Sequence, residues 1–124
     1  MIFGIGTDII EVERVGKKIS KGDGFKEKIF TPGEVKYCES RKNKAQNYAA
    51  RFAAKEAFFK AIGTGWRGGL AFNEIEVVNN ELGKPEINLY GKTKKFIEEN
   101  RIENIHVSLS HVKNLASAIV ILEK

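Results

Sequence analysis

The feature that most constrains the fold is the stretch from Ala45 to Ile62, which is rich in alanine and contains neither glycine nor proline. Such a composition favours a helix, and Gly63 directly after it is a typical C-cap residue. At 100° per residue, alanine and large apolar side chains cover nearly the whole circumference of this helix. A helix that is apolar on almost all sides lies deep in a protein. We therefore expect the rest of the chain to pack around it.

Alternating apolar and polar residues predict strands at residues 74–78, 86–90 and 105–109, and largely apolar runs predict buried strands at residues 2–10 and 116–122. Further helices are expected at residues 11–20, 25–30 and 91–100, and a fourth from Thr31, where Thr, Pro and Glu34 form a typical helix start. Adjacent hairpins without regular strand–helix alternation indicate an α+β fold. We predict one compact domain, residues 1–124, in which a mainly antiparallel sheet packs on the long central helix.

Four charged residues interrupt the central helix: Arg51, Lys55, Glu56 and Lys60. One interpretation is structural. Glu56 and Lys60 are spaced as an i,i+4 ion pair, and the other two side chains can extend their charges to the surface. The other is functional, because a buried helix that keeps four charges can face a cleft that holds a charged ligand.

Asp8 poses a similar question, because it interrupts the apolar strand from Ile5 to Ile10. A carboxylate in such a place is costly unless something binds it. It can cap the helix that follows, or it can bind a metal. Asp8 and Glu56 together suit Mg²⁺, which usually takes one or two protein carboxylates and leaves positions for water and phosphate. Lys60, one helical turn from Glu56, would then be free to neutralise that phosphate.

The net charge of +5 is unevenly distributed. Residues 14–60 contain 13 Lys and Arg against 5 Asp and Glu, whereas residues 61–124 contain 8 of each kind. The basic block at residues 14–60 is either a solvated face or a docking surface for an acidic protein, a phosphorylated ligand or nucleic acid. A nucleic-acid-binding module would explain this charge, but it would leave Asp8 and Glu56 unexplained and the sequence shows no nucleic-acid-binding motif.

Several other classes are excluded or disfavoured. A single cysteine, Cys38, excludes an intrachain disulfide framework, and we expect a cytoplasmic protein. No apolar run approaches the roughly 18 residues of a membrane span. The letters from Gly63 to Gly68 match a dinucleotide-binding fingerprint, but they follow a helix and not a strand. His106 and His111 are an odd number of residues apart on one strand, which disfavours a paired metal site.

Two segments carry a resemblance to a known family. The first is Gly4-Ile-Gly-Thr-Asp8 with Glu11 and Arg14 after it, and the second is Arg51-Phe-Ala-Ala-Lys55-Glu56-Ala-Phe-Phe-Lys60 with Gly65 after it. Together with Gly83-Lys-Pro85 and the stretch from His106 to His111, they closely resemble the bacterial holo-[acyl-carrier-protein] synthases. These are the short class of the 4′-phosphopantetheinyl transferase superfamily.

The resemblance implies a transferase that moves 4′-phosphopantetheine from coenzyme A to a serine of apo acyl carrier protein and releases adenosine 3′,5′-bisphosphate, in support of fatty acid biosynthesis. It implies that Asp8 and Glu56 hold Mg²⁺ and that Lys60 contacts the pyrophosphate, with His111 as a further catalytic residue. Glu56, His111 and a metal-bound water all remain candidates for the proton acceptor. A non-catalytic ligand-binding subunit of the same fold is an alternative.

The resemblance also implies binding residues and an assembly. Coenzyme A would be contacted by Arg51, Lys55, Lys60, Gly65, Lys84, Pro85 and His111. The acidic carrier protein would be contacted by Arg14, Lys21, Phe25, Lys26, Lys28 and Ile29. The short class is a homotrimer with sites between neighbouring subunits, so we expect the same assembly here, with no nucleic acid and no membrane as partner.

Overall fold

The computed structural model describes residues 1–63 and 69–124, and its elements follow the predicted order with bounds that differ by at most two residues. The strands are β1 (Ile2–Glu11), β2 (Ile75–Asn79), β3 (Pro85–Leu89), β4 (Asn104–His111) and β5 (Leu115–Glu123). The helices are α1 (Val12–Ser20), α2 (Phe25–Ile29), α3 (Pro32–Glu39), α4 (Lys44–Ile62) and α5 (Gly91–Glu99). A 3₁₀ turn at Phe72–Glu74 precedes β2.

The strands form two antiparallel groups. β5 lies in the middle of a three-stranded sheet with β1 and β4 on either side, and β2 pairs with β3 as a hairpin. The register places Asp8 of β1 opposite Ala118 of β5, and His111 of β4 opposite Ala116. The predicted fold class, α+β with a mainly antiparallel sheet on a long helix, is confirmed.

The helix α4 crosses one face of this sheet and contacts both β1 and β5. Ala53, Ala54, Ala57 and Phe58 have no exposed surface, and aromatic and aliphatic side chains from all sides complete the core. Gly63 ends the helix in a left-handed conformation with φ of 90°, as the C-cap prediction requires. The expectation that the chain packs around this helix is therefore confirmed.

Two glycines allow β1 and α4 to touch backbone to backbone. A methyl group added at Gly4 would overlap the carbonyl oxygen of Ala61, and one added at Gly6 would overlap that of Ala57. Any side chain at these positions would push the helix away from the strand. The glycines thus fix the distance between the two elements that carry Asp8, Glu56 and Lys60.

The predicted helix start at Thr31 is a complete capping box. The Glu34 backbone N–H donates to Oγ1 of Thr31, and Oε1 of Glu34 accepts from the Thr31 backbone N–H at 3.0 Å. Glu34 also forms a hydrogen bond outside its own helix, because its Oε2 accepts from the backbone N–H of Val77 at 2.8 Å. A buried carboxylate therefore connects α3 to β2.

Among the helices within residues 1–63 and 69–124, we find no helix that combines the length and the apolar character needed to cross a membrane.

Candidate active site

Asp8 and Lys60 meet where β1 crosses α4. Nζ of Lys60 donates to Oδ1 of Asp8 at 3.0 Å and to the backbone carbonyl of Thr7, also at 3.0 Å. The side chain of Asp8 is mostly buried and that of Lys60 is half exposed. A cation therefore already lies against Asp8, on the side that is open to solvent.

Glu56 shares a cavity with Asp8. This carboxylate cavity has a volume of about 280 Å³, and Arg14 and Lys18 of α1 line it as well. Burial raises the pKa of Glu56 above its ordinary value, and the negative charge of Asp8 raises it further, whereas Lys60 and Lys18 oppose these effects. Because the charge of Asp8 disfavours ionisation of Glu56, this cavity is a suitable environment for a cation.

The two structural alternatives for these residues are wrong. Asp8 does not cap α1, since Glu11 occupies the N-cap position without a side-chain hydrogen bond. Lys60 pairs with Asp8 of β1 and not with Glu56 along its own helix. Within the part of the chain that the structure describes, no group of three or more His, Cys, Asp or Glu side chains could hold a metal, so a cation here would have two protein carboxylates.

Arg51 lies about 140° around α4 from Glu56 and faces a second cavity, the Arg51 pocket. This pocket has a volume of about 500 Å³, and Lys84, Pro85 and His111 line it together with Tyr37. Arg51 is 3% exposed, and its Nε is buried with no hydrogen-bond partner among the described residues. A buried donor that no protein group satisfies can be satisfied by a ligand.

The structure thus brings four of the implied coenzyme A residues together, namely Arg51, Lys84, Pro85 and His111. Lys60 lies apart from the Arg51 pocket, where it pairs with Asp8. Gly65 lies outside the described residues. Lys55 requires a correction, because its side chain has no exposed surface.

The ammonium group of Lys55 forms its hydrogen bonds with groups of the protein. Nζ donates to Oε1 of Glu34 at 2.6 Å and to the backbone carbonyls of Ile29, Phe72 and Ile75 at 2.8, 3.0 and 2.6 Å. Burial lowers the pKa of Lys55, and the Glu34 carboxylate opposes that effect. Direct contact between Lys55 and a ligand is therefore not supported. Its side chain holds α2, α3, the 3₁₀ turn and β2 against α4.

The two histidines lie in different environments. His111 faces the Arg51 pocket, whereas Nε2 of His106 lies 3.0 Å from Oε1 of Glu123. This hydrogen bond is the main reason that the pKa of Glu123 is lowered. The sequence-based argument against a paired histidine site is consistent with this arrangement.

The residues implied for the carrier protein lie on α1 and α2. Arg14 and Lys21 are exposed on α1, and Lys28 is exposed on α2. Phe25 is half-buried against the rings of Phe30 and Phe52.

One residue of this set must be corrected. Ile29 is 6% exposed and belongs to the core cluster around Phe30, so it is not accessible to a partner.

Two residues of the site escaped the sequence analysis. Tyr37 of α3 lines the Arg51 pocket and Lys18 of α1 lines the carboxylate cavity. Their signals were weak in the sequence: Tyr37 precedes Arg41 by one helical turn, and Lys18 follows Arg14 at the same spacing.

Comparison with known proteins places this geometry in a family. A sequence profile of the 4′-phosphopantetheinyl transferase superfamily matches residues 4–120, which include every described element of both cavities. The chain belongs to this superfamily.

Named relatives of this superfamily agree over the full length. A holo-[acyl-carrier-protein] synthase of Geobacter sp. (strain M21) is 46% identical over 125 residues, with all of both chains covered. The crystal structure of the synthase from Neisseria meningitidis has a TM-score of 0.92 and 39% identity, again with 100% of both chains covered. A Bacillus anthracis synthase solved in complex with CoA (3′,5′-ADP) has a TM-score of 0.82 and 39% identity, with 99% of this chain and 97% of that chain covered.

These findings confirm the resemblance, the fold class and the enzyme class, a phosphopantetheinyl transferase, that the motifs implied.

Proposed function

We propose that this chain transfers 4′-phosphopantetheine from coenzyme A to a serine of apo acyl carrier protein in a Mg²⁺-dependent reaction and releases adenosine 3′,5′-bisphosphate. Cytoplasmic fatty acid biosynthesis is the process it would serve. The observation that carries the proposal is the meeting of Asp8 and Glu56 at one solvent-open cavity, with Nζ of Lys60 paired to Asp8.

The donor set of this cavity fits Mg²⁺. Two hard carboxylates are the usual protein contribution to such a site, and the remaining positions go to water and phosphate oxygens. Lys60 already supplies one positive charge at Asp8, and the pKa of Glu56, raised by burial and by the charge of Asp8, supports the binding of a further cation there. When bound, Mg²⁺ supplies charge stabilisation at the pyrophosphate of coenzyme A. Lys60 is half exposed, so its ammonium can also reach a phosphate oxygen.

The serine hydroxyl of the carrier protein must lose its proton as its oxygen attacks the β-phosphorus of coenzyme A. Burial gives Glu56 a raised pKa, which favours proton acceptance by its carboxylate. His111, at the Arg51 pocket, is the other side chain that can take the proton. The bond to adenosine 3′,5′-bisphosphate breaks in the same displacement, and that product leaves with the electron pair.

The Arg51 pocket suits the polyanionic part of coenzyme A. Arg51 and Lys84 supply positive charge, His111 can donate a hydrogen bond, and Arg51 keeps a buried donor without a partner. Charged groups that are fixed before a ligand arrives stabilise developing charge without reorganisation. Arg51, Lys84, Pro85 and His111 are the binding residues that we assign to this pocket.

The two cavities share no lining residue among those described, so one subunit does not present a single continuous site. The exposed face of the sheet is apolar, with Ile5 and Ile9 of β1 and Ile119 of β5 at 55, 66 and 40% exposure. Exposed apolar patches of this kind mark interfaces. A homotrimer that covers this face and joins the carboxylate cavity of one subunit to the Arg51 pocket of the next accounts for both observations.

The exposed cations next to the carboxylate cavity suit an acidic partner. Arg14 lines this cavity, and Lys21 extends the positive charge to the end of α1. Lys26 and Lys28 of α2 continue it beside the half-buried ring of Phe25. We assign this surface to the carrier protein.

Intact-protein mass spectrometry tests the proposed function. Apo acyl carrier protein incubated with this protein, coenzyme A and Mg²⁺ should gain the mass of one phosphopantetheine. A chelator should stop the gain and added Mg²⁺ should restore it. Glu56→Gln should abolish the gain, whereas Glu98→Gln, at an exposed position on α5, should not. A carrier protein whose mass stays unchanged with the wild-type enzyme would contradict the proposal.

A further inference from the structure

Two guanidinium groups pack on the ring of Tyr37. The central carbon of Arg51 lies 4.3 Å from the ring centroid and that of Arg41 lies 4.5 Å from it. Tyr37 comes from α3, Arg41 from the loop after it and Arg51 from α4. One aromatic side chain therefore joins cations from two separate parts of the chain at the wall of the Arg51 pocket.

The ring of Tyr37 compensates part of the free-energy cost of burying the charge of Arg51. Arg51 is almost completely buried, and no carboxylate lies within ion-pair distance of it in the part of the chain that the structure describes. An unpaired buried charge is costly, and an aromatic face compensates part of that cost through the cation–π interaction. Tyr37 thus holds Arg51 in the pocket without neutralising its positive charge. A carboxylate partner would hold the side chain equally well, but it would cancel the charge that a ligand needs.

The hydroxyl of Tyr37 has defined hydrogen-bond partners. It accepts a hydrogen bond from Nη2 of Arg41 at 2.9 Å and another from Nδ2 of Asn79 at 3.0 Å. A phenol accepts at most two hydrogen bonds and donates one. Both acceptor positions are therefore occupied. The phenolic proton has no acceptor among the described residues and is left for a ligand.

We propose that Tyr37 is a ligand-binding and positioning residue of the Arg51 pocket: its ring fixes Arg51 and Arg41, and its hydroxyl donates a hydrogen bond to a phosphate oxygen of coenzyme A. The proposal rests on the proposed function, in which this pocket takes coenzyme A. A phosphate is the matching group because it accepts several hydrogen bonds at once. The pocket offers it Arg51, Lys84 and this hydroxyl together.

The test is equilibrium binding by calorimetry, with coenzyme A and with adenosine 3′,5′-bisphosphate as separate probes. Tyr37→Phe keeps the ring and removes the hydroxyl, and we expect it to weaken coenzyme A binding about tenfold, as the loss of a hydrogen bond to a charged group does. Tyr37→Leu removes the ring as well and should weaken it further. Tyr90→Phe is the matched control, because the hydroxyl of Tyr90 donates to Glu76 and Tyr90 does not line the Arg51 pocket.

Kinetics separate this role from a purely structural one. Both Tyr37 variants should raise the KM for coenzyme A and leave the KM for the carrier protein unchanged. A double-mutant cycle with Arg51→Ala should be strongly non-additive for Tyr37→Leu, because the ring acts through Arg51. If Tyr37→Leu fails to fold, Tyr37→Phe alone decides.

The outcomes for the two proposals differ. Wild-type protein that binds no coenzyme A contradicts the proposed function. Wild-type protein that binds it, with both Tyr37 variants binding equally well, contradicts the role of Tyr37 and leaves the proposed function intact. A rise in both KM values together also overturns the assignment, because it indicates general loss of structure.

Discussion

In the absence of a cation, the ionised carboxylate of Glu56 lowers the stability of the folded protein. Its pKa is raised by burial and by Asp8, so the folded protein binds its proton more tightly than the unfolded chain does. Stability therefore falls as the pH rises from the ordinary glutamate pKa through the raised value, and the full cost is present above it. Residues that cost stability in this way are common at functional sites, where the charge is kept for the reaction.

Glu56→Gln should accordingly raise the melting temperature by a few degrees at pH 7 in the presence of a chelator, since the amide carries no charge. Added Mg²⁺ should raise the melting temperature of the wild type and not that of the variant, because a ligand stabilises only the form that binds it. Differential scanning calorimetry measures both effects. Equal stabilisation of the two proteins by Mg²⁺ would contradict the metal assignment of Glu56.

Asp8, Glu56, Lys60 and Arg51 could be singled out as candidates from the sequence because charges within apolar segments are conspicuous without coordinates. Lys55 was misjudged for the same reason. Its charge interrupts α4 as the others do, but its partners are the Glu34 carboxylate from α3 and three backbone carbonyls. Backbone carbonyls leave no signature in a sequence, so this environment could not be predicted.

Lys55→Ala should destabilise the protein by about 3–5 kcal/mol, because it leaves the Glu34 carboxylate buried without its counter-charge. Urea unfolding followed by circular dichroism measures the loss. Lys55→Met with Glu34→Gln should lose less than Lys55→Ala, since both charges are then gone. If Lys55→Ala lowers the free energy of unfolding by less than about 1 kcal/mol, the Lys55–Glu34 ion pair does not hold α3 against α4.

At the scale of elements, the strands and helices were predictable because their periodicity and capping signals are local. The packing of β1 on α4 depends on Gly4 and Gly6, and the sequence alone does not identify the element that they face. The carbonyl oxygens they face belong to α4, more than 50 residues further along the chain. The sequence therefore indicated candidate residues of the site, and the structure added how their elements come together.

Gly6→Ala should separate β1 from α4 and break the Lys60–Asp8 contact, with a stability loss of about 1–3 kcal/mol from overpacking. The rate of phosphopantetheine transfer should fall by more than the loss of stability alone would explain, because Asp8 and Glu56 on the two sides of the carboxylate cavity move apart. Gly16→Ala in α1 is the control, since its methyl group would make an ordinary contact with Ala45 and alanine favours a helix. Parallel urea titrations and transfer assays compare the two variants. Equal stability and equal transfer activity of Gly6→Ala and Gly16→Ala would contradict the role of the close contact between β1 and α4.

At the scale of the whole molecule, the proposed homotrimer depends on the exposed face of the sheet. Ile119→Lys places a charge on that face, opposite Thr7 of β1 and Ser108 of β4. We expect light scattering to give about three times the subunit mass of 13.9 kDa for the wild type. The variant should dissociate and lose transfer, because the two cavities no longer meet. A fully active monomer of either protein would contradict a site shared between subunits.

The proposed docking surface on α1 and α2 should act on the association of the carrier protein over a longer range. Arg14 lines the carboxylate cavity, so its reversal would add a third carboxylate there, and Lys21 is the cleaner probe because it lies outside that cavity. Lys21→Glu should raise the KM for the carrier protein several-fold and leave the KM for coenzyme A unchanged, since exposed charges mainly change the rate of encounter. The difference from wild type should shrink as salt rises towards about 0.5 M, where the Debye length falls well below 8 Å. Lys94→Glu makes the same change of charge on α5, in the balanced half of the chain, and should have little effect. If Lys94→Glu raises the KM for the carrier protein as much as Lys21→Glu does, net charge alone is responsible and the α1–α2 surface is not the docking site.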